Sequence, residues 1–231
     1  MLLTLIQYPL CPFSRSIRLC CAELGITIEC VEEKPWEWRQ EFLEVNPAGT
    51  LPVLVIDDEI TICGYYAISE YLSEVAVSDL GGNEHFAFFL NTPHLRAEAR
   101  RLVDWFHNKF HSEVSAYLLE EKLYSRFKET ASGPEPAIVR IAKQNLRYHL
   151  RYIGYLFERR NWLAGPEMSY ADLSAAAHLS VIDYFGDVPW EDFMLAKNWY
   201  ARVKSRPSFR TFLSEKVPGI FPASVYSDLD F

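Results

Sequence analysis

The strand signals of this chain are confined to its first third, and this asymmetry constrains the fold more than any other feature of the sequence. Residues 1–76 alternate short apolar runs with amphipathic helical patterns in the order βαβαββα, which predicts a small mixed sheet with helices on its faces. After a linker at 77–94, apolar residues recur only at steps of three and four. The sequence therefore predicts a helical second domain over 95–215, followed by a C-terminal tail at 216–231.

Local signals mark where the helices of the second domain begin. One long amphipathic helix, or a kinked pair, is predicted over residues 94–127, and a second long helix follows the segment SGPEP. Ser169 lies three residues before Asp172, a spacing that can satisfy the orphan amides of a first helical turn. A further helix is therefore predicted to start at Ser169.

The charge of the chain argues against two classes of partner. Its 231 residues carry a formal net charge of -8 without a block of like charges. That balance disfavours nucleic acid or an anionic membrane surface as the main partner. No N-terminal export signal is evident, and no apolar run approaches the roughly 20 residues needed to span a bilayer. We therefore expect a cytoplasmic protein.

The cysteines and histidines predict neither a disulfide framework nor a metal centre. An odd number of cysteines without an export signal is typical of reduced thiols. His107 and His111 lie one helical turn apart without a third ligand nearby in sequence, so we interpret them as polar positions on a long helix. The five cysteines all lie in the first third of the chain: Cys11, Cys20, Cys21, Cys30 and Cys63.

Cys11, in the segment YPLCPFSRSIR, is the candidate for thiol chemistry. Pro12 suits the first position of a helix, so Cys11 is predicted at a helix N-terminus, where unpaired N–H groups and the helix dipole favour the thiolate. Ser14 stands where a resolving cysteine would be, which favours a mixed disulfide with a small thiol. The alternative is a small buried apolar residue near a strand end. The residues alone leave both interpretations open.

Three motifs resemble those of the cytosolic glutathione transferases in order and spacing: CPFS, NPAGTLPVL and SYADLSAAAHL. The resemblance covers nearly the whole chain and implies a thioredoxin-like N-terminal domain, a helical C-terminal domain and glutathione as the ligand. It implies that Pro52 is cis and presents the backbone of Leu51 to the cysteinyl part of glutathione. It also implies that Cys11 matches the active-site position of cysteine-type members, with Ser14 the candidate in serine-type members.

One departure from the family pattern concerns the γ-glutamyl end of glutathione. Members of the family usually carry Glu-Ser in a pattern like ESxAI, whereas this chain has GYYAI, with Gly64 and Tyr65 at those positions. Hydrogen bonds to charged groups contribute roughly 1.5 to 3 kcal/mol each, so their loss predicts weak glutathione binding. Tyr65 is then the residue that lines this part of any remaining site.

A second resemblance is to a bacterial subgroup of glutathione-transferase-like proteins that bind the tubulin homologue FtsZ in cell division. The strings that carry it are EEKPWEWRQEF, RRLVDWFHNKFHSEV, DYFGDVPWEDF, WYARVKSRPSFR and YSDLDF. In that subgroup the fold serves as a dimeric adaptor. The resemblance therefore implies a homodimer and FtsZ as the partner.

Two segments are candidates for contact with a protein partner. Trp36 and Trp38 flank one glutamate, and two tryptophans so close cannot easily both point into one core. The alternative is that both pack against the sheet edge or a dimer partner. The acidic and aromatic end of the tail, Asp228, Asp230 and Phe231, resembles a short docking element, although tails are more often disordered.

The sequence thus supports two functions of different kinds. The first is an adaptor that binds FtsZ with little glutathione chemistry. The second is a cysteine-type transferase that forms a mixed disulfide between Cys11 and glutathione. Conjugation through Ser14 is a weaker third candidate, because a serine beside an available cysteine is the poorer nucleophile without special activation.

Overall fold

A computed structural model of the chain describes residues 2–75, 78–82, 88–127 and 133–229. Two of the predicted docking residues, Asp230 and Phe231, lie outside these ranges, as do residues 77 and 83–87 of the predicted linker. Across the described ranges, none of the helices combines the length and the apolar character that a membrane crossing requires.

The first part of the chain builds one four-stranded sheet with the order β2-β1-β3-β4. The neighbours β1 and β2 run parallel, whereas β3 is antiparallel to both β1 and β4. Leu5 faces Cys30 on one side and Leu54 on the other, so the centre of the sheet is apolar. The strands are β1 (Leu3–Gln7), β2 (Glu29–Glu32), β3 (Val53–Ile56) and β4 (Ile60–Cys63).

Three helices accompany the sheet: α1 (Pro12–Leu24), α2 (Gln40–Val45) and α3 (Tyr65–Val75). Together with the strands they give the predicted order βαβαββα. Helix α1 starts with a proline at its first position, which gives up no intrahelical hydrogen bond. It ends at Gly25, whose φ of 71° is the left-handed conformation that glycine adopts without a steric penalty.

The first long helix of the second part is continuous but not uniform. It runs as α4 (Pro93–Asp104), a π-helical segment (Trp105–Ser115) and α5 (Ala116–Lys122). The sequence left open one helix or a kinked pair, and the structure has one helix whose middle is wider than an α-helix. Such π segments occur frequently at functional sites.

The remaining helices are α6 (Pro136–Arg159), α7 (Tyr170–Tyr184), α8 (Met194–Lys204) and α9 (Arg210–Ser214). Every residue of α7 is buried, because this helix packs between α1, α4 and α8. The Ser169 N–H donates to Asp172 Oδ2 over 3.1 Å, which confirms the predicted helix start. Burial raises the pKa of the Asp172 carboxyl to about 6.

The two halves of the chain are joined through a buried arginine on α1. Arg15 is fully buried, and its guanidinium donates to Ser180 Oγ on α7 over 2.8 Å and to the Tyr226 hydroxyl over 3.1 Å. It also forms an ion pair of 3.2 Å with Glu215. Since Glu215 and Tyr226 lie near the C-terminus, this arginine fixes the last segment of the chain against the sheet domain.

Parts of the predicted linker and tail are packed rather than open. Phe88 and Phe89 are buried, and the Phe88 carbonyl accepts a hydrogen bond of 2.9 Å from the Tyr170 N–H. In the tail, the Tyr184 hydroxyl donates to the Ile220 carbonyl over 2.8 Å, and Tyr226 is fully buried. The tail is therefore anchored to the core by the buried side chains of Val217, Ile220 and Tyr226.

Candidate functional site

Cys11 caps the N-terminus of α1, as the sequence predicts. The backbone N–H of Ser14 donates to its Sγ over 3.5 Å, and the thiol residue is only 7% exposed. Burial raises the pKa of the Cys11 thiol, and the contacts with Ser14 and Arg15 offset that rise only in part. The hydrogen bonds at the helix terminus lower the pKa, as predicted, but desolvation outweighs them, so the net shift disfavours the thiolate.

Aromatic side chains from both halves of the molecule pack in the same cluster as Cys11. The Trp36 ring stacks on Phe127 with centroids 4.9 Å apart and meets Tyr8 edge-on at 4.8 Å. Tyr124 lies 5.3 Å from the same indole, and burial together with the Cys11 thiol raises the pKa of its phenol. We call Tyr8, Trp36, Tyr124 and Phe127 the aromatic cover. Because Cys11 is only 7% exposed, a substrate reaches its thiol only if neighbouring side chains move.

The neighbouring turn has the backbone that the resemblance implies. The Leu51–Pro52 bond is cis, and the Pro52 carbonyl accepts a hydrogen bond of 2.9 Å from the Gly64 N–H. Among the described residues, the backbone of Leu51 has no hydrogen-bonding partner. The backbone of Leu51 is therefore available to pair with an extended ligand.

Gly64 and Tyr65 leave the γ-glutamyl part of such a site without a carboxylate. Gly64 has a φ of 85°, a conformation that other residues reach only with strain. The Tyr65 ring stacks on Phe13 at 5.3 Å and lies 4.0 Å from the imidazole of His107. Tyr65 is therefore part of the packing between α1, α3 and the π segment. The residues present do not fit the charged end of glutathione.

The other site candidate, Ser14, is fully buried behind Cys11. Its hydroxyl Oγ has no hydrogen-bonding partner within the described ranges. A buried serine without a neighbouring base lacks the activation that a nucleophile requires.

A buried group of histidines next to Phe13 was not predicted. His107 Nδ1 lies 3.1 Å from His178 Nε2, and the Phe13 ring contacts these two imidazoles and that of His111. Burial lowers the pKa of His107 to about 3 and that of His111 to about 4. His107 lies on the long helix, as expected, but its burial was not predicted. A sequence signal did exist: His178 interrupts the apolar run SAAAHLS of α7.

In the part of the chain that the structure describes, no group of three or more His, Cys, Asp or Glu side chains is arranged to hold a metal ion. The three imidazoles therefore meet as a packed and hydrogen-bonded group rather than as a ligand set.

The candidate partner residues occupy different environments. Trp36 is half-buried in the aromatic cover, whereas Trp38 is 66% exposed and its ring lies over the backbone of Gly49. Asp228 is exposed two residues beyond the buried Tyr226. The two tryptophans do point apart, as their spacing suggested.

Both halves of the chain match models of one protein family. Residues 10–75 match the glutathione S-transferase N-terminal domain, and residues 119–216 match its C-terminal domain. The chain belongs to the glutathione S-transferase family. The family explains the cis bond at Pro52 and the position of Cys11 at the start of α1, whereas Gly64 and Tyr65 remain departures from the family pattern.

Several relatives within this family match the full length of the chain. FtsZ-localized protein A of Caulobacter vibrioides is 45% identical over 99% of this chain and 98% of that protein. A solved structure described as FzlA from C. crescentus has a TM-score of 0.93 and 44% identity, and a glutathione S-transferase from Rhodospirillum rubrum has a TM-score of 0.92 and 45% identity. Each covers 100% of both chains.

Proposed function

We propose that the protein is a dimeric adaptor that binds FtsZ filaments in the cytoplasm during bacterial cell division, with weak or no glutathione chemistry. The observation that carries the proposal is the 45% identity, over almost the full length of both chains, to a protein named for its localisation with FtsZ. The fold then serves as a rigid platform, and its surface rather than its thiol makes the functional contacts.

Two features of the site support weak glutathione chemistry. The first is the Gly64 and Tyr65 pair, which offers the ligand ammonium no carboxylate at the family position. The second is the burial of the thiol, since Cys11 is only 7% exposed and burial raises its pKa. Binding of glutathione would cost the free energy of displacing packed side chains, while fewer charged hydrogen bonds would form.

We assign a central role in filament binding to Trp38. An indole that is 66% exposed offers a large apolar area at a low cost in side-chain entropy, and tryptophan is enriched at binding hot spots. Its backbone φ of 49° is a left-handed conformation that residues other than glycine adopt rarely. Asp228 on the tail is a second, weaker candidate because a rim charge changes affinity little.

Co-sedimentation with polymerised FtsZ tests the proposal. The parent protein should enrich in the filament pellet, and Trp38→Ala should weaken that binding by about tenfold or more. Tyr155→Ala is the matched control, because Tyr155 is another half-exposed aromatic residue, 51% exposed, on α6. If the parent does not enrich at concentrations well above cellular ones, the proposal is wrong.

The dimer is proposed from the exposed apolar side chains beside the sheet edge. Ile60 on the edge strand β4 is 56% exposed, and Tyr66 on α3 is 59% exposed. Sedimentation equilibrium should give twice the chain mass of 26.8 kDa at micromolar concentration. A monomer at that concentration would exclude the dimer without bearing on FtsZ.

The alternative is a cysteine-type glutathione transferase or thiol transferase that uses Cys11. The observation that favours it is the open backbone of Leu51 next to the cis Pro52 and the capping thiol. Under this alternative, calorimetry shows micromolar glutathione binding, and Cys11→Ala abolishes the reduction of hydroxyethyl disulfide. Undetectable binding and an inactive parent would favour the adaptor.

A further inference from the structure

A line of buried side chains crosses from the helical domain to the first turn of α1. Ser115 Oγ lies 2.8 Å from His178 Nδ1, and His178 Nε2 lies 3.1 Å from His107 Nδ1. His107 Nε2 lies 3.4 Å from the Tyr170 hydroxyl, which is 3.0 Å from Ser16 Oγ. All five side chains are at most 1% exposed. Water therefore does not compete for these contacts.

Which group donates in each of these hydrogen bonds is set at the α1 end of the line. Ser16 Oγ lies 2.7 Å from the Phe13 carbonyl oxygen, which can only accept, so the Ser16 proton must point there. Ser16 then has no proton left for Tyr170, and the Tyr170 hydroxyl donates to Ser16. Tyr170 has used its proton in turn, so its oxygen accepts from His107 Nε2–H.

The same argument passes through both imidazoles. A neutral imidazole carries one N–H and one bare nitrogen, so His107 with a proton on Nε2 accepts at Nδ1. His178 Nε2–H is the donor to that nitrogen, and His178 Nδ1 accepts from the Ser115 hydroxyl. Each group from Ser16 to His178 thus donates once and accepts once, and Ser115 donates at the far end.

The surroundings of the line keep both imidazoles neutral. Burial lowers the pKa of His107 and His178, and the other imidazoles nearby, His111 and His149, lower that of His178 further. The Glu113 carboxylate is engaged with His149, 2.9 Å away. Burial also raises the pKa of Tyr170 in the line and of Tyr65 and Cys20 near it, so these three groups are uncharged at neutral pH.

We propose that Ser16, Tyr170, His107, His178 and Ser115 form one polarised hydrogen-bonded chain, in which both histidines are Nε2–H tautomers because the Phe13 carbonyl sets the direction. Ser16 and Tyr170 act as positioning residues. They tie the first turn of α1, which carries Cys11 and Ser14, to α7 and the π segment. A change in that turn therefore alters the protonated nitrogen of His178 on the other side of the domain boundary.

Substitutions at the two ends of the hydrogen-bonded chain are expected to affect the histidine tautomers differently. Ser16→Ala frees the Tyr170 proton to point at His107 Nε2, so the line reverses and both imidazoles become Nδ1–H tautomers. Ser115→Ala removes the other terminal hydroxyl and leaves the Phe13 end intact. In that variant both imidazoles stay Nε2–H.

The long-range 1H–15N spectrum of the imidazole rings at pH 7 tests these expectations, because it distinguishes protonated from bare ring nitrogens. His107→Gln and His178→Gln assign the two sets of signals. An Nδ1–H tautomer or an imidazolium for either residue in the parent overturns the proposal. The same holds if Ser16→Ala leaves the tautomers of the parent unchanged, or if Ser115→Ala reverses them.

A double-mutant cycle gives a second measurement that does not depend on assignment. Ser16 and Ser115 lie at opposite ends of the chain without a direct contact, so independent sites would give additive changes in the unfolding constant within about a factor of two. If the five side chains form a connected hydrogen-bonded chain, the changes in the unfolding constant depart from additivity by more than this factor. Urea denaturation of the two single variants and the double variant measures the departure. Additivity within a factor of two counts against a connected chain.

Discussion

The surroundings of Cys11 and those of Trp38 differ in almost every physical respect, although both lie in the sheet domain. The Cys11 thiol is buried in the same cluster as Tyr8, Trp36 and Tyr124, and burial raises its pKa. Trp38 stands on a short turn after β2 and is two-thirds exposed. Family membership alone would direct attention to the thiol. The structure teaches that the thiol is buried, whereas the nearby turn holds an exposed indole.

The largest effect on the free energy of unfolding is expected for Arg15, which ties α1 to α7 and to the C-terminal segment. Arg15→Met removes the guanidinium that binds Glu215, Tyr226 and Ser180, so buried acceptors lose their donor. Breaking a buried ion pair from one side costs about 3 to 5 kcal/mol in the free energy of unfolding. Urea denaturation measures it. Arg159→Met, on an exposed pair with Glu158, is the control and should change stability by less than about 0.5 kcal/mol.

The two neighbouring tryptophans allow the sharpest test of the comparison. Trp36→Ala opens the aromatic cover and should lower the free energy of unfolding by about 2 to 3 kcal/mol, since the ring is half-buried. Trp38→Ala should change it by less than about 0.5 kcal/mol while it weakens filament binding.

The Trp36 and Trp38 variants should also differ in the reactivity of the Cys11 thiol. In a background with Cys30→Ser and Cys63→Ser, Trp36→Ala should speed the alkylation of Cys11 by about tenfold through easier local opening, and Trp38→Ala should leave the rate unchanged. The rate of iodoacetamide labelling, followed by mass spectrometry, measures this. Equal rates in the two variants would mean that the aromatic cover does not protect the thiol.

A smaller effect is expected at the first residue of the GYYAI motif. Gly64→Ala places a Cβ on a residue with a φ of 85°, which costs about 1 to 2 kcal/mol even though no atom lies within 4 Å of that Cβ. Gly133→Ala, where φ is not positive and the space is equally open, should be close to neutral. Thermal unfolding measures the stability of the two variants against that of the parent. A neutral Gly64→Ala would show that the turn can accept the glutamate of other family members.

The effect expected to be smallest at neutral pH is a change in the acid dependence of stability. Burial lowers the pKa of His111 from 6.5 to about 4, so this residue stabilises the fold above pH 6.5 relative to its state in acid. That contribution is lost as the pH falls from 6.5 towards 4, because the unfolded chain binds the proton first. His111→Phe should therefore reduce proton uptake on unfolding by about one in this window. Urea denaturation at pH 4.5, 5.5 and 6.5 measures the slope, and an unchanged slope would contradict the prediction.

Much of the candidate site could be predicted because its signals are local. Cys11 followed by Pro12 predicts a helix N-terminus, and the structure places the helix there. The Ser169 and Asp172 pair likewise marks the start of α7. These predictions depend on hydrogen bonds and backbone preferences that act within one turn, so the order of the residues contains the information.

Other properties of the site could not be predicted because they depend on residues distant in the chain. His178 meets His107 across 71 positions, and Tyr226 meets Arg15 across 211. A pKa is set mainly by burial and by the charges around a group, so the local sequence of Cys11 indicates a thiolate that the folded surroundings disfavour.

The sequence by itself determined the order of the strands and helices, the starts of α1 and α7, and the loss of the Glu-Ser pair at Gly64 and Tyr65. Only the tertiary structure decided that Cys11 is closed and protonated, that Trp36 turns inward while Trp38 turns outward, and that the histidines share one buried line. The physical reason is the separation along the chain over which each interaction acts. Capping and periodicity act between residues a few positions apart, whereas burial and electrostatics depend on which distant side chains come together.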